Sequence, residues 1–429
     1  MNSELLKDCQ SRRAFVEGCA RAAFGLTVLP FLGGRTWAAG SVAAATATRG
    51  AGFGKAKHII ILNLEGGLSH IDSFDPKEGS EKGPGAPLTT KAGYQLTAFL
   101  PEIAKIADKI TVVRSMTAKV GVHANAQYLM RTGYEKRGTI LHPVLGAWAQ
   151  HYLGASHKTL PSSVCVNRPA NHGNGWFPAA FSPLPILDPD DGLANSTAPV
   201  SDAQQEKRIA LLAEMERSFG KRVGDENVRA YNDFYDTTLQ LMRSSDLKAF
   251  DLNAETPALR DRSGRGKFGQ GALLARRLVE NGVRFVEVQS GGWDMHKDLE
   301  DGMESKGADF DKAFAALIGD LDSRGLLDST LVAVTTEFGR KPSFDGSGRG
   351  HHPIGFSCVL AGGGVKRGYV HGSTDAKGYG PASNPVKVGD LHATIAWAAG
   401  LPIDTEVMTP SGRPMTVGNH GQPAMGVFA

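Results

Sequence analysis

Three runs carry side chains able to hold a cation or an anion: Gly291-Gly292-Trp293-Asp294-Met295-His296, Thr336-Glu337-Phe338-Gly339-Arg340 and Gly348-Arg349-Gly350-His351-His352. Asp294 and His296 are two positions apart, so a turn can aim both at one ion. Carboxylate with imidazole suits zinc, manganese or iron, whereas calcium would ask for oxygens alone. The cofactor expected is a divalent metal, zinc, manganese or calcium. A loop aspartate capping a turn beside an exposed histidine is the plainer alternative for this pair. Glu337 can ligate a metal or simply pair with Arg340 to fix its loop. The forked guanidinium groups of Arg340 and Arg349 suit a phosphate, sulfate or carboxylate group. His351 and His352 sit in a glycine-rich loop able to fold over a site.

Earlier in the chain, Glu65 follows an apolar run, and Ser69, His70 and Asp72 come after a double glycine whose backbone N–H groups can face an anion or a metal ligand set. Asp72 and Asp75 can equally cap a helical turn. His123 opens a helix-forming stretch, where it can serve as ligand, general acid/base or nucleophile, or simply face solvent. Ser115, behind Arg114, is a weaker hydroxyl candidate, and His142, His172 and His392 read as structural.

The elements that must position these groups alternate. His58–Leu64 is a continuous apolar run of strand length, as in a buried parallel strand. Leu100–Ile106 reads as helix, Ile110–Val113 as strand, and His123–Arg131 as a helix ending at Gly133. Later come helix Gly271–Asn281, strand Val283–Val288, helix Asp309–Arg324, strands Thr330–Thr335 and Phe356–Leu360, and helix Asp390–Ala399. Repeated βα units predict an α/β fold, a mainly parallel sheet flanked by helices on both faces. Ser201–Arg222 and Val228–Met242 interrupt the alternation and predict a helical insert at about 200–265. Polar residues just past strand ends are where such sheets place their ligands.

The N-terminus reads as an address. Ser11-Arg12-Arg13-Ala14-Phe15 is a twin-arginine pattern, followed by the apolar Ala22–Leu32 and the small residues Ala38–Ala45. Export by the Tat route is expected, with residues 1–45 as signal peptide and 55–429 as the mature domain, periplasmic or secreted. A short amphipathic helix is the alternative. No other stretch reaches the ~18 apolar residues a membrane span needs. Of four cysteines, Cys9 and Cys19 lie in the removable segment; Cys165 and Cys358 remain, either as one bridge or as two buried thiols. With 47 basic against 44 acidic residues and no basic stripe, nucleic acid is not an expected partner.

Taken together, Leu64–Lys77, Gly292–His296, Thr336–Arg340, Gly348–His352 and Asp390–Thr394 resemble a Tat-exported bacterial family defined as a domain of unknown function, DUF1501, itself similar to the alkaline phosphatase and sulfatase superfamily. That resemblance implies an acidic metal ligand at Glu65. It also implies a nucleophile opening a helix that ends in a Leu-Thr-Gly-like run. Here that run is Leu129–Gly133, and counting back places His123 where a serine, threonine or modified cysteine is expected. The superfamily's later Asp-and-His pair falls on Asp294 and His296, its Asp-His dipeptide on Glu337-Phe338, and its last histidine on His351 or His352. Phe338 cannot ligate, and no standard nucleophile is present.

The implied activity is metal-dependent hydrolysis of a phosphate or sulfate ester. The ions would be held by Glu65, Asp294, His296, Glu337 and His351 or His352, with Arg340 or Arg349 stabilising an anionic small-molecule or glycan substrate. The alternatives are an inactive metal- or anion-binding envelope protein, which would bind an anionic glycan or a partner exported beside it, and a structural protein on an inherited fold.

Overall fold

The His58–Leu64 run is apolar throughout because both of its faces are covered. In the computed structural model, which describes residues 50–168, 173–194, 196, 200–223 and 237–429, this strand (β1) lies inside a nine-stranded sheet. The expected signal peptide lies outside the described residues, which fall in the unit Ala47–Ala429. The remaining strands are β2 (Ile110–Thr117), β3 (Ser163–Val166), β4 (Leu184–Ile186), β5 (Phe285–Ser290), β6 (Thr330–Thr335), β7 (Phe356–Ala361), β8 (Tyr369–His371) and β9 (Val386–Lys387). Their order is β8-β2-β7-β6-β1-β5-β3-β4, with β9 paired to β2. Register is continuous across the centre, with Ile60 opposite Val286 on one side and Val332 on the other.

Alternation along each strand splits the core in two. Ile60, Leu62, Leu64, Val286, Val288, Val332 and Val334 pack into one cluster with helices Lys267–Glu280 and Ala308–Ser323. Ile59, Val113, Phe285, Leu331 and Ala333 pack into the other with helices Leu145–Leu153 and Val388–Ala398. Among the described residues the longer helices, in chain order, are α1 (His123–Thr132), α2 (Leu145–Leu153), α3 (Asp202–Val223), α4 (Lys267–Glu280), α5 (Ala308–Ser323) and α6 (Val388–Ala398). The expected α/β fold, a mainly parallel sheet with helices on both faces, is what forms.

One strand departs from the parallel pattern. β7 runs antiparallel to both of its neighbours, pairing Val359 with Val334 of β6 and with Val112 of β2. It therefore starts at the edge where the parallel strands end. Strands β3, β4, β8 and β9, each only two to four residues long, and helix α2 went unrecognised in the sequence. Runs so short carry too little alternation to stand out from loops. In the insert, α3 forms where expected. Val228–Met242 lies partly outside the described residues; its Leu241, and Ala249, Phe250 and Leu252 beyond it, join the core. Cys165 and Cys358 are both buried and unbridged.

Two buried histidines couple the fold to pH. Burial pushes His70 and His142 down to about 4 from the ordinary 6.5, with Arg137 adding to the effect at His142. Because the unfolded chain binds these protons first, stability falls as pH drops from about 6.5 towards 4, by roughly 3 kcal/mol for each histidine at most. Asp311, raised to about 6 by desolvation against the opposing hydrogen bonds from the Glu102 and Ile103 amides, works in the opposite sense below pH 6. Urea unfolding should show lower stability at pH 5 than at pH 7, with a shallower pH slope in His142→Phe. An unchanged slope in that variant would remove His142 from the account.

Candidate metal centre

The polar groups gather at the edge where β1, β2, β5 and β6 end. Glu65 follows β1, Asp294 lies four residues past β5, Glu337 two past β6, and His123 opens α1 after β2. The reversal of β7 completes the set. The hairpin pairing Gly339–Arg340 with His351–His352 must lie at this edge, because β7 begins here. Gly66 lets the loop after β1 touch the loop after β5. Its φ is +126°, and a Cβ there would lie 2.4 Å from the Asp294 amide nitrogen and 2.6 Å from Trp293. Gly66→Ala should therefore cost upwards of about 2 kcal/mol, read as a lower urea midpoint at unchanged slope. A variant as stable as the parent would mean the loop yields freely.

Three ligand atoms, one each from His123, Asp294 and His351, lie within 4.8 Å of one another. The hydrogen bonds behind them fix what those atoms present. His123 Nδ1 is 2.8 Å from Glu337 Oε1, and His351 Nδ1 is 2.9 Å from the Gly121 carbonyl oxygen. Both partners are acceptors, so each Nδ1 carries hydrogen, and it is Nε2 of each ring that is left to offer a lone pair to an ion. Those Nε2 atoms each stand 3.3 Å from Asp294 Oδ1, itself a lone-pair donor. His123 Nε2 is buried and, although close to Asp294, has no hydrogen-bond partner among the described residues.

His296 joins at the open side, its Nε2 2.9 Å from His351 Nε2 and 3.1 Å from Asp294 Oδ1. One N–H on His296 can satisfy one of these neighbours, which still leaves His123 Nε2 facing a carboxylate with nothing between. Lone pairs converging in this way ask for a cation. Two imidazoles, a carboxylate and a third imidazole alongside form a donor set that fits a divalent transition metal.

Electrostatics favour the ionised carboxylate. Desolvation pushes the Asp294 carboxyl up, but the Arg340 hydrogen bond and charge outweigh it and hold the group at about 2. Phe338, fully buried, lies under the rings of both His123 and His351, with centroids 4.8 and 4.7 Å away. The residue that cannot ligate thus forms the dry floor of the cluster.

The other residues expected at the site are placed differently. Glu337 accepts from the Gly66 amide at 2.9 Å and from Gln127 at 3.3 Å, besides holding His123. Its carboxylate is spent on orientation. Glu65 is bound by Arg168 and Gln289, with Asn63 at 3.2 Å. His352 Nε2 points away to the Tyr379 carbonyl at 2.6 Å.

Both arginines expected to receive an anion are fully buried. Arg340 donates from Nε to Gly67 O at 3.0 Å, from Nη1 to Arg349 O at 3.0 Å, and from Nη2 to Asp294 Oδ1 and Gly66 O. Arg349 grips Asp72 through Nε at 2.8 Å and Nη2 at 3.2 Å, and also donates to the Pro342 and Glu81 carbonyls. Their donors face inward. Gln127 and the Gly121 carbonyl were not singled out in the sequence; Gln127 lies one helical turn beyond His123, the spacing that could have marked it.

Residues 56–428 match a family model described as "Protein of unknown function (DUF1501)". Among curated proteins, none matches. Solved structures that are similar include a sulfatase from Pseudoalteromonas sp., 13% identical, covering 82% of this chain and 69% of that one at a TM-score of 0.40. The lipoteichoic acid synthase LtaP from Listeria monocytogenes is 11% identical over 91% and 80% of the two chains, with a TM-score of 0.39. An alkaline phosphatase from the Antarctic bacterium TAB5 is 14% identical over 72% and 92%, with a TM-score of 0.34.

Proposed function

The chain belongs to the DUF1501 family, and from that premise we propose that it is an exported, metal-dependent hydrolase of phosphate or sulfate esters. The observation that supports this best is the convergence of His123 Nε2, His351 Nε2 and Asp294 Oδ1, all lone-pair atoms, with His296 at the open side. These four would hold the ion. A divalent metal bound there would supply Lewis-acid polarisation of an ester oxygen and a water of lowered pKa.

The protein's own groups do the rest. Glu337 keeps the proton on His123 Nδ1, the Gly121 carbonyl keeps that on His351 Nδ1, and Arg340 holds Asp294 ionised and aimed. Phe338 excludes water from beneath, so attack and departure take place on the His296 side, where the cluster is half exposed. With His123 engaged at both ring nitrogens' positions, water rather than a side chain is the expected nucleophile.

Replacing Glu337 by glutamine should weaken the metal affinity about 10- to 100-fold, because the amide no longer fixes the His123 ring as a carboxylate does. A dye-competition titration with zinc would show this. Equal affinity would assign Glu337 to the loop alone. The test of the reading as a whole is elemental analysis of the mature protein, followed by a panel of phosphate, phosphonate and sulfate esters on the metal-replete form. No metal after reconstitution would sink it.

A second reading has its own support. The position that opens α1 is a histidine instead of a hydroxyl or thiol, and both arginines are committed inside. A metal-bound protein that binds an anionic glycan or an exported partner without turnover would show stoichiometric metal and an inert ester panel.

A further inference from the structure

A cavity of about 600 Å³ lies between the C-terminal end of α1, the N-terminal end of α6 and the loop 418–421. None of His123, Asp294, His296 or His351 lines it. Its charge is unbalanced. Lys119, Arg137 and Lys387 line the cavity, and none of them forms an ion pair among the described residues. Two carboxylates share the wall, yet one is already committed: Asp390 accepts the Lys387 amide at 3.0 Å and the Gln422 amide at 2.9 Å. Three cations therefore stand against two carboxylates, one of them already turned onto backbone amides.

Two further features point the same way. The first residues of α6, Val388 and Gly389, border the cavity, so the N-terminal turn of that helix faces it, its dipole met in part by the Asp390 carboxylate of the same turn. On the far wall, Gly418, Asn419 and His420 are three consecutive residues with φ of 70°, 54° and 60°, a conformation costly for the last two. The His420 amide donates to Thr416 Oγ1 at 2.8 Å, which holds the turn and fixes where His420 stands.

We propose that this cavity is an oxyanion site, taking a phosphate or sulfate group that is either free or the second anionic group of a larger ligand. The chain ties it to the metal centre. Lys119 stands four residues before His123, and Leu129 and Gly133, which line the cavity, close the ten-residue helix that His123 opens. At 1.5 Å per residue Leu129 and Gly133 stand about 9 and 15 Å along the helix from His123, a span of two to three linked rings rather than of one small ester.

Calorimetry on the full mature chain tests this, with inorganic phosphate and a sulfated heparin tetrasaccharide as probes. The variants are Lys119→Ser/Arg137→Ser/Lys387→Ser, Glu135→Gln and Asp294→Asn. The triple variant should bind about tenfold or more weakly, and Glu135→Gln about two- to threefold more tightly. Phosphate binding that survives Asp294→Asn identifies a free ion as sufficient. Binding of the tetrasaccharide alone, weakened by both the triple variant and Asp294→Asn, identifies an attached group that spans the two sites. Probes that bind the triple variant as they bind the parent, a Glu135→Gln variant no tighter than the parent, or a parent that binds neither probe would overturn the proposal.

Discussion

Asp294→Asn is expected to strip the centre of its cation while leaving the fold nearly intact. An amide oxygen can still accept from Arg340, so the buried guanidinium keeps a partner and the loop beyond β5 keeps its place. What disappears is the charge held at about 2 and, with it, the anionic donor nearest to His123, His296 and His351. A loss of roughly 100-fold or more in zinc or manganese affinity is expected, with a urea midpoint close to the parent's. Equilibrium dialysis with elemental analysis reads the first quantity and circular dichroism the second. Full metal occupancy in a folded Asp294→Asn protein would place the ion elsewhere.

Arg340→Met should do the reverse, damaging the fold first. Its guanidinium is fully buried and joins three separate loops, through the carbonyls of Gly66 and Gly67 after β1, Asp294 after β5 and Arg349 in the hairpin before β7. Methionine fills much of the space but supplies no donor, leaving those carbonyls unsatisfied and Asp294 without its counter-charge. A penalty of about 3–5 kcal/mol is expected. Chemical denaturation measures it, and added zinc should recover part of the loss if the folded state alone binds metal. A midpoint unchanged by the substitution would mean the three loops hold together by packing alone.

How much of this could be read from the sequence depends on how local each signal is. β1 and β6 have the bounds expected of them, because a seven- or six-residue apolar run between polar residues is too short for a buried helix and too apolar for a surface loop. Asp294, His296 and His351 stand out as chemical types in glycine-rich loops, and the structure brings them together. His123 was legible as a site residue opening a helix, as ligand, acid/base or nucleophile, but which of these was not, since the Nδ1 contact that defines its tautomer comes from a residue far along the chain.

The inward roles of Arg340 and Arg349 were hidden for a similar reason. A guanidinium offered to an anion and one tied to backbone carbonyls look alike in sequence; only burial separates them. The antiparallel direction of β7 was equally invisible. Strand polarity leaves no mark on composition, and a βα pattern predicts only the parallel majority.

That reversed strand bears on when the centre can exist at all. His351 reaches Asp294 across 57 residues, and His123 reaches Glu337 across 214. No fragment short of the central sheet with β7 in place brings these atoms within reach of one another, and contacts of such separation form late in folding. Capture of a cation there would then be a closing event, so that a metal-bound molecule would be one whose chain had already finished folding.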